Sequence, residues 1–508
     1  MKIRKIFLSV VVLSVLAPAS LAAQDDEALV YTSVYVEDFD WSLYPTGGND
    51  NIWGSTVLNA PYQEDRTDGL GVHFDFSNTR SSNLCVLLGD VFKSSVGSVS
   101  ISGIPLGGVP GFFTARLGLY KSSTDTDDLV SGAFKFEVAG TEHKGSLYPG
   151  RFSYVKLRQG MTFKELAEIK ISTGIEGRPL FLDQLCLYKR HSVSSGAAST
   201  ARHIILTGHF SHEDCTSLQE QLRSNTSVMV VDVADATFDD GPVLLEAGNP
   251  NCLFYDSNAT SILQNTVNRV QGGKCENLVL REGYPFCNFK SFTAVNVSYD
   301  RCFVPGRWST LCLPFTVREV PGVSSVFSLT GYDASTGELT FSPSVSLTSS
   351  KPRVIRTSVA QPFLELRGVN AEVKGAGPWR MILSDGNLYY SGLYERQKQL
   401  ASTPDVYIYG LTENAFRLSG QGNVFDSFHC YLQVSSSVLP GGSVPSRISS
   451  NLSGDPTGLP AVLPDGDEAV TVYSVSGSVV RRDVPSSEAL RGLPTGIYII
   501  NNQRYIVQ

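Results

Sequence analysis

The stretch HIILTGHFSHEDCTSLQEQLRSNTSVMVVDV, residues 203–233, contains two apolar runs separated by a polar segment. Similar runs recur along the chain, with central residues 25, 24 and 25 positions apart: Ile205, Val230, Phe254 and Val279. A repeat of this length predicts that each unit supplies one strand to a continuous sheet and that stacked units share a core. We therefore predict a short solenoid over residues 200–296, with both ends covered by neighbouring parts of the chain.

The polar segment between the first two runs has the pattern of an amphipathic helix. Ser211 or Asp214 can cap its first turn, and Leu218 and Leu222 then share the buried face. A strand, helix, strand order at this period resembles a leucine-rich repeat or a short right-handed solenoid.

The whole chain has the composition of a β-rich globular protein with several domains. Of its 508 residues, 42% are hydrophobic, 10% aromatic and only 18% charged, with 46 Gly and 25 Pro. This composition favours short strands and frequent turns over long helices. The formal charge of -8 includes no long basic run, so the sequence predicts no nucleic-acid partner.

The amino terminus has the three regions of a secretory signal. MKIRK is basic, IFLSVVVLSVL is apolar and APASLAA offers small residues for cleavage after Ala22 or Ala23. We predict a signal peptide over residues 1–23. No later run approaches the ~18 apolar residues of a membrane-spanning helix, so we expect no transmembrane span in the mature chain.

Residues 24–195 contain eight short apolar or alternating runs separated by Gly, Asn, Asp and Ser, which predicts a two-sheet sandwich. Within it, EDFDW at 37–41 and FLDQLCL at 181–187 resemble the jelly-roll carbohydrate-binding and lectin-like modules of secreted proteins. The resemblance implies a glycan ligand.

The same resemblance implies a structural calcium ion held by Glu37, Asp38 and Asp183. Calcium suits such a set because it binds several oxygens at flexible distances. The alternative is that these residues are turn or strand-edge carboxylates that bind no metal.

The middle of the chain resembles a group of multi-domain surface and secreted proteins of Bacteroidota. The resemblance is carried by NPNCLFYD at 249–256, GGKCENLVLREGYPF at 272–286 and RWSTLCLPFTV at 307–317. The last of these begins a series of short strands that predicts a second β-sandwich over 297–435. Residues 436–468 are rich in Ser, Gly and Pro, which is typical of a linker.

The last segment contains four short strands. VYSVSGSVV at 472–480 predicts one antiparallel pair, and GIYII with QRYIV predicts a hairpin through Asn501 and Asn502. Alternation predicts a small sandwich with this core: Tyr473, Val475, Val479, Ile497, Ile499, Tyr505 and Val507.

The order VYSVSGSVV, LPTGIYII and a final strand resembles the carboxy-terminal sorting domain of type IX secretion cargo in Bacteroidota. This implies that residues 469–508 interact with secretion machinery. The alternative is an ordinary accessory β-module. Together with the signal peptide, the resemblance implies export across the inner membrane of a Gram-negative bacterium, to the medium or the outer surface.

Few residues have the spacing of a chemical site. The nine cysteines include no CxxC pair and most lie in apolar runs, which favours buried thiols over disulfides in the 252–312 region. His209, His212 and Cys215 could bind zinc, but their position at a helix start favours the alternative, a polar capping segment. The acidic loop 124–128 could bind calcium or simply be solvated.

No nucleophile, phosphate-binding or metalloprotease motif is present, and we assign no catalytic or cofactor-binding residue. We therefore predict a non-enzymatic, exported protein that binds a glycan or an extracellular macromolecule through its amino-terminal sandwich or its solenoid face. Trp41, Tyr44 and Trp53 are candidates for an aromatic platform. The alternatives are a secreted polysaccharide hydrolase and a fimbria-like structural component.

Overall fold

The computed structural model describes residues 27–37, 39, 57–58, 61–66, 70–82, 85–90, 95–104, 109, 111–138, 140–157, 167–257, 260–317, 323–357, 361–366, 369–375, 377–378, 380–396, 402, 405–412, 415–420, 424–440, 444–452, 469–474, 479–485, 488–490, 493, 496–500 and 503–507. Strands dominate this part of the chain, where the only α-helix has 13 residues. The predicted mostly-β, multi-domain fold class is confirmed. No helix among these residues is long and apolar enough to cross a membrane.

The amino-terminal region is a two-sheet sandwich. Its strands are β1 (Leu29–Glu37), β2 (Val57–Leu58), β3 (Pro61–Arg66), β4 (Leu70–Ser77), β5 (Thr79–Ser82), β6 (Cys85–Leu88), β7 (Ser98–Ile104), β8 (Gly111–Leu119), β9 (Val130–Val138), β10 (Thr141–Leu147), β11 (Phe152–Leu157), β12 (Ala167–Thr173) and β13 (Leu180–Ser192). One sheet has the order β10-β9-β12-β7-β4-β3. Its inward side chains, such as Phe74, Phe136 and Ile169, pack with Phe113 and Leu182 of the facing sheet.

The solenoid follows directly. Its elements are β14 (His203–Phe210), α1 (His212–Ser224), β15 (Val230–Phe238), β16 (Leu253–Tyr255), β17 (Arg269–Gln271), β18 (Lys274–Arg281) and β19 (Phe292–Phe303). Strands β14 to β17 pair in parallel, and β17 then turns back into β18 as a short antiparallel hairpin. As predicted, Ser211 caps α1 in a capping box with Asp214, and Leu218 and Leu222 are buried.

The second β-domain contains the remaining strands before the carboxy-terminal module. They are β20 (Trp308–Leu311), β21 (Val323–Asp333), β22 (Glu338–Pro343), β23 (Arg353–Thr357), β24 (Gln361–Leu366), β25 (Ala371–Val373), β26 (Arg380–Leu383), β27 (Leu388–Gly392), β28 (Val406–Thr412), β29 (Ala415–Leu418), β30 (Cys430–Ser435) and β31 (Arg447–Ser450). Four 3-10 turns complete the described elements: Val193–Ser195, Ala197–Ser199, Ser384–Gly386 and Ser436–Val438.

The solenoid is not separated from its neighbours. Strand β1 pairs with both β13 and β14, and β19 pairs with β24 and β25, so one 15-stranded sheet runs through three regions. This confirms that both solenoid ends are covered. The physical reason is that an uncovered end strand would expose unpaired N–H and C=O groups.

The linker that we predicted over 436–468 is partly folded. Strand β31 lies inside this range and pairs with both β22 and β29. Its Ile448 is only 2% exposed, so a short apolar side chain in a Ser-rich segment completes the ten-stranded sheet. Residues 453–468 lie outside the described part.

The long sheet curls strongly. Five steps between adjacent strands separate β11 from β15, in the order β11-β8-β13-β1-β14-β15. At about 4.8 Å per step, a flat sheet would hold these strands roughly 24 Å apart. Nevertheless, Lys156 Nζ on β11 lies 2.8 Å from Asp232 Oδ2 on β15. The curled face is filled by the segment 284–290, whose Phe286 and Phe289 are buried.

The carboxy-terminal module is a four-stranded sheet of β32 (Ala469–Ser474), β33 (Val479–Pro485), β34 (Gly496–Ile500) and β35 (Gln503–Val507), in the order β33-β32-β34-β35. Both predicted antiparallel pairs are present. For Tyr473 and Val479 the predicted core is wrong, because both side chains are exposed, whereas Val470, Val472, Ala489, Tyr498 and Ile500 form the core. The side chains of the other predicted residues lie outside those that the structure describes: Val475, Ile497, Ile499, Tyr505 and Val507. Alternation alone shows that one face is buried, but a shift of one residue exchanges the faces.

All nine cysteines lie in the described part and carry free thiols. Six are buried, two are half-buried and Cys302 is exposed. Burial raises the pKa of Cys275 and of Cys430 to about 12 in each case, so these thiols are protonated at neutral pH. The prediction of buried thiols is confirmed.

Candidate functional site

Over its first turns, the solenoid sheet is covered on both faces. One face buries Ile205, Val230, Leu253 and Tyr255 in a core shared with the second β-domain. The opposite face buries Ile204, Val231 and Phe254 with Leu218 and Leu222 of α1 and with Leu245 and Leu263. The predicted solenoid face is therefore not available to a ligand in these turns.

The cover ends at the hairpin of β17 and β18. In the row of paired residues across the sheet, Val231 is followed by Phe254 and then by Arg269. The first two are buried, whereas Arg269 is partly exposed. The sheet therefore changes from apolar to polar where its cover stops.

A cleft of about 500 Å³ lies at this position. It is lined by Asn265, Thr266, Val267, Asn268, Arg269, Gln271, Lys274, Glu276, Asn277 and Val279. We call it the hairpin cleft. Eight of the ten lining residues carry an amide, hydroxyl or charged group, and the other two are Val267 and Val279. No aromatic ring is among these lining residues.

Two asparagines shape the cleft by substituting for a strand along β18. Asn268 Oδ1 accepts from Val279 N at 2.6 Å, and its Nδ2 donates to Val279 O and Pro250 O, both at 2.9 Å. Asn251 repeats the pattern one rung further on, with Arg281 N at 2.6 Å and Arg281 O and Tyr284 O at 2.9 Å. Both side chains are buried, and they satisfy backbone groups that no strand reaches.

The same device recurs earlier in the solenoid. Asn225 binds the carbonyls of Ala198 and Ala201 and accepts from two backbone amides, and Asn249 binds the carbonyls of Val228 and Pro285. We call these four residues, Asn225, Asn249, Asn251 and Asn268, the asparagine ladder; the sequence patterns above did not predict it. The signal was available, since Asn225, Asn249 and Asn268 each precede a strand by a few residues.

The charges in the cleft are matched. Arg269 Nε lies 3.0 Å from Asp256 Oδ2, whose side chain is fully buried, and Arg269 also bonds Gln271. Lys274 Nζ lies 2.5 Å from Glu276 Oε1, and both of these side chains are exposed. Two cations thus face two anions, so the cleft has no excess charge to attract an ionic ligand.

Two of the exposed polar groups are carboxamides. Asn265 and Asn277 both face solvent, and Asn277 Oδ1 accepts from Asn296 Nδ2 at 3.0 Å. Asn265 has a φ of 53°, in the left-handed region that asparagine tolerates better than most residues. Asn265 and Asn277 thus present hydrogen-bonding side chains to solvent in the cleft lining.

A second charged cluster lies inside the curled sheet. Asp232 accepts from Lys156 at 2.8 Å and from Lys290 at 3.3 Å. Lys290 Nζ also lies 5.1 Å from the ring centre of Tyr154 and 4.8 Å from that of Tyr255. The cluster joins β11, β15 and the segment 284–290, which indicates a structural role.

Burial and charge act in opposite directions on this cluster. Burial alone would raise the pKa of Asp232, but Lys156 and Lys290 together hold that pKa well below its ordinary value. Burial lowers the pKa of Lys290 despite the attraction of Asp232, because this one carboxylate is shared between two lysines. The carboxylate is ionised at all physiological pH values.

The predicted calcium ligands have protein partners. Glu37 is fully buried and accepts from Tyr35 Oη at 2.9 Å and from Phe39 N at 2.7 Å. Asp183 forms an ion pair with buried Arg116, whose guanidinium lies 4.3 Å from the ring centre of Phe152.

Asp38 lies outside the described residues, so calcium binding there stays a prediction. In the described part of the chain, no three His, Cys, Asp or Glu side chains converge as a metal site would require.

The other predicted polar sites are occupied by local pairs. His209 binds Asp239 at 2.6 Å, and His212 binds Asp240 at 2.7 Å. In the acidic loop, Asp125 pairs with Arg178 at 2.9 Å and Asp127 pairs with Lys121 at 2.6 Å. Each side chain in these pairs therefore has a protein partner of opposite charge within hydrogen-bond distance.

The predicted platform residues Trp41, Tyr44 and Trp53 lie outside the described residues. On the six-stranded sheet, the outward positions that the structure describes on the paired strands carry charged and small polar side chains, among them Asp75, Ser100, Glu137, Glu142 and Lys170. Among those positions, His73 on β4 is the residue that carries a ring, and it is half-buried.

Comparisons with known proteins add similarity in structure only. No protein-family model matches the chain, and no curated protein sequence matches it. Solved structures that resemble part of it include TmCBM61 in complex with β-1,4-galactotriose, at 13% identity over 26% of this chain and 87% of that one, with a TM-score of 0.16.

Two further similar structures are also carbohydrate-binding modules. The CBM22-1 xylan-binding domain from Paenibacillus barcinonensis has 8% identity over 31% of this chain and 94% of its own, with a TM-score of 0.19. CBM36 in complex with calcium and xylotriose has 10% identity, coverages of 25% and 98%, and a TM-score of 0.17. Similarity at this level assigns no function to the chain.

Proposed function

We propose that this is an exported, non-enzymatic protein that binds a polar glycan in the hairpin cleft. The observation that carries the proposal is the end of the cover on the solenoid sheet, where a concave surface presents carboxamides and matched charges beside two valines. Sugars offer hydroxyl groups that both donate and accept, and amide side chains complement them in both roles.

Binding rather than hydrolysis fits the cleft chemistry. Glycoside hydrolysis requires two carboxyl groups that flank the scissile bond. The cleft has one exposed carboxylate, Glu276, and it is paired with Lys274, while Asp256 is buried behind Arg269. This arrangement can hold a sugar but supplies no acid and base pair.

The test uses the mature chain, residues 24–508, on a glycan array followed by titration calorimetry. We expect binding to at least one neutral oligosaccharide, and we expect Asn277→Ala and Lys274→Met each to weaken it about threefold or more. Lys144→Met is the matched control. Lys144 is exposed to a similar extent as Lys274 but lies on β10 in the six-stranded sheet, away from the cleft lining.

Two results would refute the proposed site. One is the absence of binding to every glycan on the array. The other is retention of wild-type affinity in both cleft variants, which would move the ligand to another surface.

We further propose that the carboxy-terminal module, residues 469–508, is a sorting signal recognised by secretion machinery. A separate small core that includes Val472 and Ile500 supports an independent unit. Deletion of the module should leave the melting temperature of the rest unchanged while the protein accumulates in the periplasm. Full surface delivery of the truncated chain would contradict this role.

A further inference from the structure

We infer that the hairpin cleft selects sugars that carry an N-acetyl group, an inference that rests on the glycan binding proposed above. An acetamido group has three parts: an N–H donor, a carbonyl acceptor and a methyl group. The cleft offers a complement to each part on neighbouring residues.

The apolar complement is Val267. Its side chain is 57% exposed, although it lies between polar residues of the cleft lining. Covering a solvent-exposed isopropyl group with a ligand methyl group removes apolar surface from water and makes binding more favourable. A plain hexose has no methyl group to place against Val267 and offers only the C–H groups of its ring faces, so an acetamido sugar covers more of this side chain.

The polar complement is the pair of carboxamides, Asn265 and Asn277. A carboxamide donates through its NH2 group and accepts through its oxygen, so it pairs with an acetamido group in both directions. In its hydrogen bond with Asn296, Asn277 accepts through Oδ1, so this bond does not use the Nδ2 donors of Asn277.

The matched charges favour a neutral ligand. Arg269 is neutralised by Asp256, and Lys274 by Glu276. A carboxylated or sulfated sugar would have to displace one of these anions from its cation, whereas a neutral acetamido sugar leaves both pairs in place.

Matched probes test the inference by titration calorimetry with the full mature chain. Chitohexaose and cellohexaose have the same β-1,4 backbone and differ at C2, where one carries an acetamido group and the other a hydroxyl. We expect chitohexaose to bind at least tenfold more tightly. Equal affinities would overturn this inference but leave glycan binding intact, whereas binding of neither probe by a chain that also fails on the array would refute the proposed function.

A near-isosteric substitution locates the acetyl contact. Val267→Thr replaces one methyl group with a hydroxyl and should weaken chitohexaose binding about threefold to tenfold, with cellohexaose binding unchanged. Val345→Thr is the control, because Val345 is 94% exposed and lies in the second β-domain. Unchanged chitohexaose affinity in Val267→Thr would overturn the inference.

A hyaluronan hexasaccharide tests whether the cleft prefers a neutral ligand, because it carries N-acetyl groups like chitohexaose but alternates them with carboxylated sugars. We expect it to bind more weakly than chitohexaose. Tighter binding of hyaluronan would overturn the preference for a neutral ligand.

Discussion

The first and last turns of the solenoid use the same strand repeat but have different surroundings. In the first turn, α1 places Leu218 and Leu222 over the sheet, and neither is exposed. In the last turn, the corresponding face carries Arg269, Gln271 and Glu276 and forms the hairpin cleft. The comparison shows that a repeat determines where strands lie, whereas its cover determines which turns are core and which can bind a ligand.

The inner face gives the same lesson. There the segment 284–290 fills the curled sheet, and one carboxylate, Asp232, holds two lysines from distant parts of the chain. On the opposite face of the last turn, the buried carboxylate of Asp256 holds the single cation Arg269. The covered turns are therefore stabilised by long-range contacts, and the open turn by contacts between neighbours.

The largest effect that separates the two regions is expected for Asp232→Ala. Loss of this buried carboxylate leaves Lys156 and Lys290 without their shared partner, which should lower the free energy of unfolding by about 3–5 kcal/mol. Urea denaturation followed by tryptophan fluorescence and circular dichroism measures it. The control is Asp235→Ala, because Asp235 also pairs with Lys156 but is 39% exposed, and about 1 kcal/mol or less is expected. Equal losses would mean that the buried cluster is not what joins these elements.

Removal of the helical cover should have the next largest effect. Leu222→Ala deletes a fully buried side chain between α1 and the sheet and should cost about 2–5 kcal/mol. In the open turn, Val267→Ala should change stability by no more than about 0.5 kcal/mol. Thermal unfolding of both variants compares them directly, and a large loss in Val267→Ala would show that the last turn is covered after all.

Substitutions in the asparagine ladder should lower the free energy of unfolding by an intermediate amount, which should be similar for Asn251 and Asn268. Asn251→Ala and Asn268→Ala each leave backbone groups of β18 unsatisfied and should cost about 1–3 kcal/mol. Only Asn268 lines the cleft, so Asn268→Ala should also reduce glycan affinity. Parallel loss of affinity in Asn251→Ala would indicate general destabilisation instead of a local change in the cleft.

Two histidines distinguish the covered interior from the open surface by their pH dependence. His203 is buried against Phe289, with ring centres 4.6 Å apart, and burial lowers its pKa to about 3. His212 is exposed, and its hydrogen bond to Asp240 raises its pKa.

The signs of the two effects are opposite. The pKa of His203 is lower in the folded protein than in the unfolded chain, where it is near 6.5. As pH falls below about 6.5, the unfolded chain therefore binds a proton that the folded protein does not, and the fold loses about 2 kcal/mol of stability by pH 5. The ion pair of His212 with Asp240 stabilises the fold fully when pH is below the unfolded pKa of about 6.5. This stabilisation is lost as pH rises through the raised pKa of His212 in the folded protein. NMR titration checks both: His203 should remain neutral at pH 5, and Asp240→Asn should lower the pKa of His212. A His203 resonance that titrates near pH 6.5 would contradict the buried position.

Much of the local structure was predictable because it depends on short-range patterns. The repeat located β14, β15, β16 and β18, the pattern after Ser211 located α1, and the alternation after residue 469 located the last strands. The candidate site was not predicted in this way. Its polar residues look like any solvated turn in the sequence, and only the absence of cover beside Arg269 distinguishes them.

The sequence by itself determined the period of the strands, the capped helix and the apolar character of most cysteines, because these depend on residues within a few positions of one another. The tertiary structure alone decided that Lys156 meets Asp232 across a curled sheet, that β31 belongs to the second domain, and that Tyr473 faces solvent. The physical reason is that burial is a non-local property: a pattern specifies two faces, but the packing of distant segments selects which face becomes core.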